Sequence, residues 1–516
     1  MATYLTPGVY VEENLSAGAA GDGSASRAVG AFVGIAPTGP SVPTLVRTWS
    51  QYVTLFGGFD GPRNYLPYAV YQFFANGGSQ CYIVRATRAD ATYATAALTD
   101  STPAGDGGPK TALQVTALAA GSYSNNLSVD IRPTGAEGGR FDLLVLFKGQ
   151  IVERFADLSS NPDDSRYVVS VVNSPADGSL YIKLTNPKIA DGYVYDLEDD
   201  VIPAQTVNLT GGSDGVQPYD YVSAAKKLDD IPNTNFDLNL PAVNDTAVLN
   251  PIIDWAEKRG NVFVIVDGPR AAEGATSDQV MAGYISMVGS QSGALLASSH
   301  AAIYGPWLMV VDPASNRWGA RRLLPPGGAV MGQMAKTDMV RNVAKAPAGV
   351  ENAIVNVLST EAKFTEEQLD ELAYNHINVI RLIPGYGHCI WGARTLKRSL
   401  PDLYVPVRRT LIMLRKTLAD QTRWAVFEPN ASDLWQKVRL VLSTYLSKLR
   451  QAGILAGQTD KEAFFVNCGP DQNPQSEINA GRLNIEVGVR LLYPAEFVII
   501  RLSHYDGGVE TGEVAL

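Results

Sequence analysis

Four histidines (His300, His376, His388, His504) and three cysteines (Cys81, Cys389, Cys468) hold most of the nucleophilic and metal-binding capacity of this 516-residue chain. They are scattered. No C-x-x-C or H-x-x-x-H spacing brings two ligands onto one turn, so neither a zinc site nor a thiol redox pair is expected. His388 and Cys389 are adjacent, but a metal or thiol catalyst needs further ligands or a base. The pair reads as packing, because a free cysteine is usually a small buried hydrophobe. The phosphate-cradling spacing G-x-x-x-x-G-K-[ST] does not occur. Gly385-Tyr-Gly387 lacks the third glycine of a dinucleotide turn, and Gly289-Ser-Gln-Ser-Gly293 has Gln where a nucleophile would stand. The acids of Asp196–Asp200 lack the glycine and spacing of a calcium loop. These residues give no catalytic set, no metal site and no cofactor site.

What remains is charge. Between Arg394 and Arg450 stand twelve Lys or Arg against four acids, Asp402, Asp420, Glu428 and Asp433, a net +8 in a chain of net −10. Such polarity suits a basic face toward an acidic partner and an acidic face toward solvent. The overall acidity argues against nucleic acid as the main partner, since phosphate binding needs a broad basic footprint. Two helical patterns carry the surplus, about 408–423 and 433–451. In the second, Leu434, Val438, Val441, Leu442, Tyr445 and Leu449 share one face, with Lys437, Lys448 and Arg450 on or near the other.

The elements that position these residues follow from pattern. The length implies two or three domains. Residues 1–27 hold a strand-like run, Val9-Tyr-Val-Glu-Glu13, and then a Gly/Ala/Ser-rich tract that reads as a flexible linker. An α/β core starts at 28–89, with a strand at Val29–Ile35, a helix opened by Pro67 and a strand at Cys81–Arg85. Composition turns Gly-, Pro-, Ser- and Thr-rich over 90–212. Short runs there, among them Leu113–Thr116, Leu127–Ile131, Phe141–Phe147 and Tyr167–Val172, read as strands of an inserted β-rich outer domain. The core resumes over 213–390, with strands at Asn261–Val266, Ala301–Val311 and Ile377–Arg381 and a helix announced by the capping box Thr365-Glu-Glu-Gln368. A second box is Thr459-Asp-Lys-Glu462. Residues 391–502 form a C-terminal domain with the basic helices and two β-runs, Leu483–Arg490 and Glu496–Leu502, and 503–516 is a polar tail. The uncharged stretch Gln279–Val311 is broken by glycines and Pro306, so it reads as a buried helix and strand rather than a membrane span. The first residues lack the basic and apolar regions of a secretory signal.

Ordered motifs along the chain resemble those of contractile tail sheath proteins, found in phage tails, R-type bacteriocins and contractile injection systems. They are Tyr4-Leu-Thr-Pro-Gly-Val-Tyr-Val-Glu-Glu13, Phe32-Val-Gly34, Phe56-Gly-Gly58, Phe73-Phe-Ala-Asn-Gly-Gly78, Leu209-Thr-Gly-Gly-Ser-Asp-Gly215, Tyr304-Gly-Pro-Trp307 and Lys345-Ala-Pro347. The C-terminal block adds Trp391-Gly-Ala-Arg-Thr395, Val407-Arg-Arg409, Trp424-Ala-Val-Phe-Glu-Pro-Asn430, Ala463-Phe-Phe-Val466 and Pro494-Ala-Glu-Phe-Val-Ile499. One departure is Val489-Arg-Leu-Leu-Tyr-Pro494, where the family more often has Ala and Pro after Gly-Val.

The resemblance implies a mixed α+β sheath core, an inserted outer domain and extended terminal β-arms. It also implies a non-enzymatic subunit that stacks in rings around an inner tube and contracts to drive the tube through a target envelope. Its partners would be copies of itself, the inner tube, and baseplate and cap proteins, with no direct nucleic-acid contact and no membrane insertion. Assembly would take place in the bacterial cytoplasm, within a phage tail or injection particle. Strands lent to neighbours would use Val9, Tyr10, Val11 and Glu12 at one end and Ile485, Val487, Val489, Phe497 and Ile499 at the other. Contact with the tube is expected at Lys437, Arg439, Lys448 and Arg450. A non-contracting baseplate or terminator relative, or an α/β enzyme without a recognisable motif, is the alternative.

Overall fold

The structure, a computed structural model, describes residues 28–61, 64–101, 110–135, 139–174, 177–189, 195–196, 200–289 and 293–496. The expected arm residues Val9, Tyr10, Val11, Glu12, Phe497 and Ile499 lie outside them.

The apolar run after the linker is strand β1 (Val29–Gly34). Strand β2 (Thr44–Val46) and helices α1 (Trp49–Phe56) and α2 (Leu66–Ala75) lead to β3 (Cys81–Arg85). Pro67 stands in the first turn of α2, where its missing N–H leaves no bond unmade. The next residues form two antiparallel sheets. One joins β4 (Thr95–Thr99), β5 (Thr111–Ala117) and β9 (Ile182–Thr185); the other joins β6 (Leu127–Pro133), β7 (Phe141–Phe147), β8 (Gln150–Leu158) and β10 (Gln205–Asn208). Tyr167–Val172, read as a strand, is instead the short helix α3 (Val168–Val172). Only Val168 and Val172 are fully buried there, the spacing of one helical face, so packing overrides the strand preference of β-branched residues.

The core resumes with α4 (Tyr221–Lys226), β11 (Phe236–Asn239), α5 (Thr246–Arg259), β12 (Val262–Asp267), α6 (Ser277–Val288) and β13 (Ala301–Gly305). Pro306 then ends what reads in sequence as one long strand. The chain leaves the main sheet there, and β14 (Leu308–Val311) joins a small one with β15 (Arg321–Leu324) and β16 (Val357–Thr360). Helix α7 (Gly327–Val340) lies between the last two. Helix α8 (Glu366–Tyr374) opens on the expected box, with Thr365 and Gln368 exchanging side chain-to-backbone bonds. After β17 (Ile377–Ile383) and β18 (Gly387–Ile390) come the long helices α9 (Val405–Thr422) and α10 (Ser432–Gln451). The second box yields only the single turn α11 (Asp460–Ala463), with no capping bond from the Thr459 side chain. Strand β19 (Phe464–Asn467), helix α12 (Gln475–Asn479) and β20 (Glu486–Val489) complete the described chain.

The main sheet has the order β18-β17-β13-β12-β11-β1-β3-β2. Its six inner strands are parallel, and antiparallel β2 and β18 close the edges. Helices cover both faces, which is why β12 is buried at every residue and reads as an unbroken apolar run. The architecture is thus a mixed α/β core with a β-rich insertion. Because β1 is flanked by β3 on one side and β11 on the other, the strand order reverses there, and a doubly wound sheet binds ligands at the carboxyl ends beside such a reversal.

Candidate assembly interface

At that crevice the chain fills its own sheet. Leu66, opening α2, packs so closely on Gly34 at the end of β1 that a Cβ there would lie 2.9 Å from its side chain. The N-terminus of α7 enters beside β11 and β12: Gly327 N–H donates to Asp267 Oδ1 at 2.6 Å, and Ala242 N–H and Asn239 Nδ2 donate to Oδ2 at 3.0 and 3.2 Å. Asp267 therefore caps a helix distant in sequence, whose own N-cap residue, Pro326, offers no side-chain acceptor. Burial pushes the Asp267 carboxyl up to about 6 in spite of these donors.

Helix α7 crosses the sheet to its amino edge, where Asp338 meets Arg409 of α9. The guanidinium reaches Asp338 at 2.9 and 2.7 Å and Asp237, on β11, at 3.1 and 2.5 Å. All three side chains are buried. Burial alone would lower the Arg409 pKa, but the two carboxylates outweigh it and hold the charge in place. A cavity of about 690 Å³ opens beside this cluster, lined among others by Val29, Gln80, Asn235 and Met413. It lies at the amino edge, opposite to where such a sheet binds ligands.

Half of the bases in the basic segment are spent in ion pairs among the described residues, which narrows the reading of its charge. Arg394 pairs with Glu496, Arg408 with Asp402, Lys416 and Arg423 with Asp420, and Arg450 with Asp460, besides the buried Arg409 cluster. The candidate tube residues on α10 divide accordingly. Arg450 Nε lies 2.6 Å from Asp460 Oδ1, and Arg439 donates to the Cys468 carbonyl. Lys437 is exposed with its ammonium 4.3 Å from the Trp424 ring centroid, and Lys448 is exposed. Leu440, between them on the same outer face, is 68% exposed. The opposite face of α10 buries Leu434, Val438, Leu442, Tyr445 and Leu449, with Val441 half-buried.

Beneath α9 and α10 lies a two-stranded antiparallel sheet, Phe464–Asn467 against Glu486–Val489. Val487 and Val489 pack inward with Phe464 and Val466 against these helices, and Ile485 packs against the cluster that holds Leu434, Val438 and Leu442. These three residues thus sit on their own subunit, because their side chains complete its core. On the outer face the half-exposed Phe465 ring lies over Gly488, where a Cβ would come within 1.9 Å of it. Among the described residues neither outer edge of this sheet has a strand partner. A two-stranded sheet is marginal alone and presents two templates for further pairing.

His300, His376 and the three cysteines take structural places. His300 and His376 each bond a backbone carbonyl through Nδ1, the three thiols are free and buried, and Gly385 and Gly387 form the β17–β18 turn. Among the described residues no group of three or more His, Cys, Asp or Glu could hold a metal ion. No described helix is long and apolar enough to cross a membrane.

Two family models match this chain. The phage tail sheath protein central domain covers residues 217–396, and the phage tail sheath C-terminal domain covers 403–503. Together they take in more than half of it. The chain belongs to the contractile tail sheath family. The tail sheath protein of Vibrio phage KVP40 is 22% identical over 407 residues, 74% of this chain, which spans 57% of that relative's length. Among solved structures, the anti-feeding prophage helical sheath in its contracted state is similar at a TM-score of 0.57, with 22% identity, 97% of this chain and 99% of that one covered. A sheath tail protein from Listeria innocua follows at 0.53, with 11% identity and coverage of 87% and 90%. These likenesses confirm the fold of a sheath subunit.

Proposed function

We propose that this chain is the non-enzymatic building block of a contractile sheath, polymerising as stacked rings around an inner tube and shortening to drive that tube through a target envelope. The observation that carries the reading is the open two-stranded sheet under the C-terminal helices, found in a chain of this family. Its edges, which have no strand partner among the described residues, suit strands lent by neighbouring copies, through Val9, Tyr10, Val11 and Glu12 at one terminus and Phe497 and Ile499 at the other. A six-residue strand adds about six hydrogen bonds of ~0.5–1.5 kcal/mol each net, whereas ordering about fifteen arm residues costs ~1–2 kcal/mol apiece. One arm does not hold a pair together; a lattice in which many act at once does. The filled crevice at the strand reversal supports a structural rather than catalytic role. Lys437 and Lys448, with Leu440 between them, face an acidic inner tube in this scheme, while Arg439 and Arg450 hold α10 in shape. Assembly would occur in the bacterial cytoplasm, with baseplate and cap proteins at the ends.

Deleting residues 1–13 tests the proposal. Electron microscopy of the full chain mixed with tube protein should show sheath-like rods, and the truncated chain should stay dispersed with its thermal unfolding unchanged. Rods of normal length from the truncated chain would rule out arm exchange.

A further inference from the structure

The β14–β15 hairpin ends in a loop fastened by its own bonds. Asp312 N–H donates to the Ala320 carbonyl at 2.9 Å and Ala320 N–H to the Arg317 carbonyl at 3.1 Å. Ala314 N–H donates to Asp312 Oδ1 at 3.0 Å, and Arg317 N–H to Ser315 Oγ at 3.2 Å. On this stiff stalk Trp318 is fully exposed, and Arg317, Arg321 and Val311 are exposed beside it. Trp307, eleven residues earlier, is buried and donates its indole N–H to the Gly268 carbonyl at 2.8 Å. Among the described residues no acid lies within ion-pair reach of Arg317 or Arg321; the nearby pair is Arg322 with Asp312. Tryptophan and arginine on a pre-ordered loop are the residue types that dominate protein contacts, because little ordering entropy is lost when they dock.

A surface of opposite charge stands elsewhere on the same chain. Helix α8 buries Leu372 and holds itself through Gln368, whose Nε2 donates to Asp278 Oδ1 at 2.6 Å. Its outer face presents Glu367, Asp370, Glu371 and Tyr374, spaced i, i+3/i+4, i+7 and all exposed. Glu366 is paired with Arg381 at 2.6 Å, but among the described residues no cation is within ion-pair reach of the other three acids.

We infer that the hairpin tip of one copy docks on the α8 face of the next, with Trp318 against Tyr374 and Arg317 and Arg321 among Glu367, Asp370 and Glu371. This rests on the reading of the chain as a polymer subunit and adds a second contact to the arm exchange. The occupant is a second copy because tip and helix are complementary in charge. They are also different patches, so the contact is heterologous and propagates into rings or filaments instead of closing as a dimer.

Charge exchange tests it on the full chain with purified tube protein. Arg317→Glu with Arg321→Glu, or Glu367→Lys with Asp370→Lys and Glu371→Lys, should each cut pelletable polymer at least tenfold. Combining all five changes in one chain, or mixing the two reversed chains in equal amounts, should restore it, since both re-create opposite charges across the contact. Wild-type polymer yield from either single-sided variant, or no recovery in the combined chain, overturns the inference while leaving arm exchange intact. Failure of the unmodified chain to polymerise overturns both. Should a charge variant misfold, Trp318→Cys chain mixed with Tyr374→Cys chain gives the same answer. A disulfide-linked dimer exceeding that of either chain alone supports the contact, and its absence in oxidised polymer refutes it; the native cysteines are buried.

Discussion

Arg409 shows how far a residue's role can sit from its sequence neighbourhood. Counted with the bases around it, it belongs to a surplus that points outward. In the fold it is buried between Asp237 and Asp338, which lie 172 and 71 residues away, and no local window shows such partners. Breaking a buried ion pair leaves the remaining charges unpaired in a dry site, so Arg409→Met should cost about 3–5 kcal/mol in urea unfolding. A loss below about 1 kcal/mol would mean that water reaches the cluster. Asp267 gives a pH-dependent counterpart. Its carboxyl ionises near 3.8 when unexceptional and near 6 in the fold. Between those values the folded chain keeps a proton that the unfolded chain has released. Stability from this group is therefore fullest below pH 3.8, falls as pH rises through the window and is flat above about 6. Compared with Asp267→Asn, the wild type should lose on the order of 2 kcal/mol of relative stability between pH 4.5 and 7.5. Urea midpoints of both proteins at the two pH values measure it, with the other titrating groups cancelling; a constant difference would refute the assignment.

Among elements, helix α7 joins the most distant parts. Asp267 holds its first turn, Asp338 ties its last to α9, and its glycines let α2 come close: a Cβ on Gly328 would lie 2.3 Å from the Ala69 carbonyl oxygen, and one on Gly332 2.6 Å from that of Phe73. Gly332→Ala poses a clean contest. Helix propensity alone favours alanine by about 1 kcal/mol, whereas the contact is with backbone that cannot rotate away. The expected outcome is a net loss of about 1–3 kcal/mol in chemical denaturation; a gain would show that α2 has room to move. None of this was legible in the sequence: no helix is read there over 327–340, and glycine disfavours a helix unless a close-packed partner such as α2 requires it. Elements set by local chemistry were legible: the Thr365–Gln368 box, the apolar face of α10, the buried run of β12. The misreadings came where context ruled, as at Val168–Val172, whose β-branched side chains sit on a helix, and at Pro306, which sends the chain into another sheet.

At the scale of the whole molecule, motif order in the sequence pointed to a sheath, while which charged side chains stay exposed was decided only in the fold. Six of the twelve bases in the +8 segment form ion pairs among the described residues of the subunit, and this narrows the proposed tube-facing set on α10 from four residues to two. Arg450 and Arg439 are engaged with Asp460 and the Cys468 carbonyl, leaving Lys437 and Lys448 on either side of Leu440. Exposed charges of this kind are worth about 0.2–1 kcal/mol each, so their effect arises by repetition along the polymer and is screened by salt. Lys437→Glu combined with Lys448→Glu should therefore reduce co-sedimentation with purified tube protein about tenfold at low ionic strength, since 1.4 kcal/mol is a factor of ten. Raising the salt should bring the wild type down toward the variant. Arg450→Glu should act differently, lowering the unfolding midpoint by loosening α10 from α11. Equal co-sedimentation of wild type and the double lysine variant at low salt would overturn the proposed contact at these two lysines.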